Sequence, residues 1–190
     1  MKRTILVVSI ALALSGFALA QVVGSDNFLI NYYANANTTG APDGTVRIDN
    51  PGLTYTDLCA MIYVFTPDQQ MAECCGCRNS HNNLRTLSVN ANLASNPLTG
   101  VTQKAGAIKI VSAALNGAAC DPTSNVTPTS DLRAWATHIQ NQVGSSYPIT
   151  ETEFSNTPLG ATELANLQAQ CAFIGILGSG HGVCSCGTGS

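Results

Sequence analysis

The chain has 190 residues, with eight basic against eleven acidic side chains, a formal net charge of −3, 45% hydrophobic residues and 10% charged. With no basic surplus, and a charge density far below the ~25% of an average domain, a surface for nucleic acid or anionic lipid is excluded. The apolar fraction excludes a disordered chain, and the length suits one folded unit of roughly 100–200 residues.

Lys2 and Arg3 precede an apolar run over residues 5–14, and Ala18-Leu19-Ala20 supplies a small-x-small cleavage site before Gln21. Residues 1–20 are therefore expected to be a signal peptide, and residues 21–190 a single secreted β-rich domain, extracellular or periplasmic. The apolar run is shorter than the ~20 residues of a spanning helix, so no membrane span is expected after cleavage. Cleavage also removes two positive charges.

Residues 28–33 form a short apolar and aromatic run, followed by the loop formers Thr38, Thr39, Gly40, Ala41, Pro42, Asp43 and Gly44. Thr45–Asp49 alternates apolar Val46 and Ile48 with polar Arg47 and Asp49, the period of a half-buried strand. Leu58–Phe65, LCAMIYVF, is the most hydrophobic stretch after residue 20, and its aromatic and β-branched members predict a buried central strand. Pro67 marks a turn, with residues 69–77 returning as the antiparallel partner. Residues 84–89 and 107–111 alternate as further strands. Residues 121–130, with Pro122 and Pro128, read as a long exposed loop, and residues 132–139, with the sole tryptophan Trp135, as a strand. Leu164, Leu167, Cys171 and Ile174 recur at helical spacing, so residues 161–174 predict a helix capped by Thr162 and ended by Gly175 or Gly178. The expected fold is mainly β, an antiparallel sandwich-like single domain with one C-terminal helix and several disulfides.

Cys59, Cys74, Cys75, Cys77, Cys120, Cys171, Cys184 and Cys186 make an even set, which in an exported chain reads as a disulfide framework. Strand neighbours point to opposite faces, so Cys74 and Cys75 are expected to take different partners. Folding the hairpin symmetrically about Pro67 sets Cys59 opposite Cys74 or Cys75, with Cys75 favoured. In a reducing compartment, the block Glu73 to Cys77 with His81, together with His181, Cys184 and Cys186, would suit zinc or cuprous copper. Export turns the expectation to disulfides, with no free thiols and no bound metal.

No motif identifies a reaction. His138 is a candidate base with Asp131 as orienter, yet no Gly-x-Ser-x-Gly elbow accompanies it. Glu151 and Glu153 would share one face of a strand, the arrangement from which glycosidase carboxylates are drawn, although such pairs are common on solvated strands. The glycines 178, 180 and 182 lack the Lys-Ser/Thr of a phosphate loop. No cofactor is implied. Asn37-Thr38-Thr39 is a glycosylation sequon. Tyr32, Tyr55, Trp135 and Tyr147 are candidates for stacking on a flat ligand, and Tyr33 is a further loop-side tyrosine.

Taken together, Leu58 to Phe65, Glu73 to Cys77, Leu87-Ser88-Val89 and Ala134 to His138 resemble a group of uncharacterised secreted proteins of soil bacteria. The resemblance covers most of the chain after residue 20. It implies a bacterial, exported origin and brings no activity or site residue with it. The expected function is a non-enzymatic secreted or cell-surface protein of structural or adhesive type, with self-association or a cell-surface glycan as its partner and no nucleic acid. Alternatives are an extracellular carbohydrate-binding module, a secreted hydrolase or a soft-metal-binding protein.

Overall fold

The computed structural model describes residues 27–115, 117, 119–180 and 184; the expected signal peptide lies outside them, as do His181 and Cys186. The strands are β1 (Phe28–Tyr33), β2 (Thr45–Asp49), β3 (Leu58–Phe65), β4 (Met71–Asn79), β5 (Leu84–Ser88), β6 (Gly106–Ala114), β7 (Thr127–Pro128), β8 (Arg133–Ile139), β9 (Ile149–Glu153) and β10 (Ser155–Thr157). One helix follows, α1 (Ala161–Gly175). The pairings are antiparallel and build two sheets, one ordered β10-β1-β6-β3-β4 with β7 beside the end of β6, the other β5-β2-β8-β9.

The sheets face each other, and α1 covers the far side of the larger one. Strand β3 shows why. Leu58, Ala60, Ile62 and Val64 enter the core shared with Val46, Ile48, Ala134 and Ala136 of the smaller sheet. Cys59, Met61 and Tyr63 alternate onto the other face, where Leu167, Cys171 and Ile174 of the helix meet them. A strand covered on both faces has no reason to alternate in polarity, which accounts for its unbroken apolar run. Strands β2 and β8 keep the alternation because one side of their sheet is open.

Three disulfides are present among the described residues: Cys59–Cys120, Cys74–Cys171 and Cys77–Cys184. Cys74 and its neighbour Cys75 point to opposite faces, as strand geometry requires. The expected pairing of Cys59 with Cys74 or Cys75 is corrected. The chain turns over Thr66 to Gln70, with Gln69 left-handed at φ 70°, and the register shifts by one residue between Val64 and Phe65, where Ala72 of β4 is skipped. The turn therefore lies beyond Pro67, and Cys59 stands opposite Arg78 while Cys75 stands opposite Ile62. In this register Cys59 faces the helix and Cys75 the other sheet, so the two sulfurs lie on opposite sides of the sheet.

Two further expectations change. Residues 121–130 are laid onto the sheet rather than looped into solvent: the Tyr63 hydroxyl donates to the Pro122 carbonyl at 2.7 Å, the Asp121 carboxylate accepts from the Thr123 amide at 2.8 Å, and β7 pairs with β6. Helix α1 starts from Gly160, which has no capping side chain, and Thr162 lies inside its first turn. Its Glu163 is fixed by Lys109 of β6 at 2.7 Å. Gln168 is half-buried on the flank of the helix and donates to the Ser124 carbonyl.

Candidate functional site

The open side of the smaller sheet carries the side chains that alternation turns outward. Arg47 of β2 is in register with Trp135 of β8, which is in register with Glu153 of β9; Asp49 pairs with Leu84 of β5, and Thr137 with Glu151. Arg47, Asp49, Leu84, Trp135 and Glu151 line a shallow depression of about 470 Å³. The Arg47 guanidinium donates to the Glu151 carboxylate across the intervening strand. With both side chains well exposed, the pair adds at most about 1 kcal/mol to stability. Its effect is to hold both groups upright beside the indole. The depression thus offers a flat apolar surface and an N–H donor from Trp135, a fork of donors from Arg47, and acceptors from Asp49 and Glu151.

The other stacking candidates are not part of it. Tyr32 is half exposed and stacks on His138 with ring centroids 4.2 Å apart, Tyr55 is 84% exposed against His81 at 4.7 Å, and Tyr147 is half-buried in the β8–β9 connection. Arg47, Asp49 and Leu84 were not singled out from the sequence, although the alternation in Thr45–Asp49 had already turned Arg47 and Asp49 to the same side.

His138 lies on the inner face of β8, away from the depression. Its Nε2 meets the Thr152 hydroxyl at 2.6 Å, and its Nδ1 has no partner among the described residues. Asp131 precedes the far end of β8, so the base–orienter pair is not assembled. Burial holds the His138 imidazole below its ordinary value of 6.5. Well above pH 6.5 the ring is uncharged whether folded or unfolded and contributes nothing to pH dependence. As pH falls through 6.5 the unfolded chain takes a proton that the folded chain refuses, and stability declines by up to about 1.4 kcal/mol per pH unit until the lowered folded value is reached. Urea titrations from pH 7.5 to 5 should show His138→Gln losing less stability than the unsubstituted protein over that range.

The candidate soft-ligand block resolves differently. The sulfur atoms of Cys75, Cys77 and Cys184 lie within 4.8 Å of one another, and two of the three are joined as Cys77–Cys184. Two thiolates spent in a disulfide cannot ligate a metal, so the bonded form offers at most one sulfur from this group. His81 lies elsewhere, its backbone amide held by Asp57, whose carboxyl is kept below the usual range by the hydrogen bond from Arg78. Glu73 is buried and accepts from the hydroxyls of Ser95 and Ser179, tying β4 to the segment after α1. Peptide mapping of the unreduced protein should return the links Cys59–Cys120, Cys74–Cys171 and Cys77–Cys184.

The fold and the disulfides define a class: a disulfide-bonded antiparallel β-sandwich with a helix closing one face and an open polar sheet on the other. No protein family and no curated protein matches the chain. Among solved structures, that of Thermotoga maritima 1070 overlays 72% of this chain and 97% of its own, with a TM-score of 0.45 and 11% identity.

Proposed function

We propose that the protein is a secreted, non-enzymatic adhesive protein that holds polysaccharide on the open face of its smaller sheet. The observation that carries this reading is Trp135 set in a shallow depression between the donors of Arg47 and the acceptors of Asp49 and Glu151. A sugar ring presents an apolar face of C–H groups and a rim of hydroxyls that both donate and accept. An aromatic plane flanked by both kinds of partner matches it, with the apolar contact supplying binding energy and the charged rim orientation. An open depression suits a chain that continues beyond the site at both ends. The disulfides support a location outside the cytoplasm.

Trp135 is the only tryptophan, so its fluorescence reports on this site alone. Titration with soluble polysaccharides should shift its emission saturably, and Trp135→Ala should weaken retention in polysaccharide affinity gels by tenfold or more, on the order of 2 kcal/mol for a central aromatic anchor. Retention that survives Trp135→Ala would place the ligand elsewhere. Hydrolysis of the retained polymer would replace the adhesive reading with an enzymatic one.

A further inference from the structure

Helix α1 is apolar on two opposite sides. Leu167, Cys171 and Ile174 face the sheet and are buried. The turn spacing places Ala165, Ala169, Ala172, Phe173 and Ile176 on the other side, and all five are exposed, Phe173 at 57% and Ile176 at 83%. A surface helix normally gives its outer side to charged and polar residues, and one that is apolar all round is ordinarily covered. Residues 164–180 contain no charged side chain, and the only acid in the helix, Glu163, is already paired with Lys109.

We infer that this outer face of α1 is where a second copy of the chain docks, helix against helix across a two-fold axis. A two-fold contact sets each patch against itself, so any unpaired charge would oppose its own image. This patch has none. Alanine at 165, 169 and 172 lets two helix axes approach closely. The shape is self-complementary as well. Phe173 borders a groove of about 450 Å³ whose apolar lining is Met71, Leu98, Ala169 and Ile174 and whose rim is Gln69, Gln70 and Gln170, while Ile176 projects into solvent, so each copy offers a projection and a recess. Ser179, buried against Glu73, and Cys184, bonded to Cys77 on the inter-sheet side of β4, lie away from this face. A lipid surface is the poorer fit, since interfacial helices flank their apolar side with Lys and Arg and α1 has neither.

Sedimentation velocity of the secreted protein over a micromolar concentration series should show its mass doubling. Phe173→Glu and Ala169→Glu should each weaken association at least tenfold while keeping the unsubstituted circular dichroism spectrum. Leu53→Glu, an exposed apolar position in the loop before β3, should associate like the unsubstituted protein and controls for added charge alone. A monomer at every concentration overturns the inference, as does a dimer undiminished in both helix variants. Cosedimentation of a monomeric protein with phosphatidylcholine vesicles, lost in Phe173→Glu, would assign the face to lipid instead.

Discussion

Gly76→Ala should be the most damaging glycine-to-alanine change among the described residues. A Cβ at this position would fall 1.9 Å from the Cys120 carbonyl oxygen and 2.9 Å from Pro122 Cδ. Contact at that distance with backbone is not relieved by turning a side chain. The Cys120 segment cannot retreat, because Cys120 is bonded to Cys59 and the Pro122 carbonyl is held by Tyr63. The cost should exceed the 1–3 kcal/mol, roughly, of an ordinary overpacked core position, and the variant should either fail to fold or melt far below the unsubstituted protein. Gly175→Ala is the matching control. Its Cβ meets nothing within 4 Å at the end of α1, and alanine there should add about 0.5–1 kcal/mol. Denaturant unfolding of the two variants should move in opposite directions; equal midpoints would mean that the Cys120 segment does not lie on β4.

Leu167→Ala should cost on the order of 2–5 kcal/mol. Leu167 is 1% exposed and packs with Met61, Tyr63 and Val111 in the cluster that joins the helix to the larger sheet. The surroundings collapse poorly around a vacancy there, since the Cys74–Cys171 bond and the Lys109–Glu163 pair fix the helix one turn to either side. Asn166→Ala, one residue earlier and exposed, should change the melting temperature little. Similar losses in both would mean that the phase of the helix is wrong.

Much of this architecture was legible in the sequence wherever one local pattern decided the outcome. The eight-residue apolar run of β3 could be little else than a strand covered on both sides, and the spacing of Leu164, Leu167, Cys171 and Ile174 fixed both the helix and its buried side. What local pattern could not supply was distance. Cys59 finds Cys120 across 61 residues and Cys74 finds Cys171 across 97, pairings set by which strand neighbours which. A left-handed Gln69 and a one-residue bulge were enough to defeat a count made from Pro67. The π-helical turn at Val89–Leu93, held by Ser88 and Asn92, has no hydrophobic period to announce it. The candidate site was half visible: Trp135 stood out as the single indole, whereas Arg47, Asp49 and Leu84 join it only once β5, β2 and β8 lie side by side.

The connection between β8 and β9 has a consequence for the fate of the protein among proteases. Residues 140–146 are exposed, and the turn at Gly144 has a left-handed φ of 62°, the kind of tip that proteases cut first. Two bonds, Cys74–Cys171 and Cys77–Cys184, join residues on opposite sides of that tip. A cut there divides the polypeptide without releasing either piece. The clipped molecule would migrate as one species until reduced and would keep strands from both fragments in each sheet. Damage at this exposed tip therefore leaves a two-chain protein with its sandwich and its outer helix still attached.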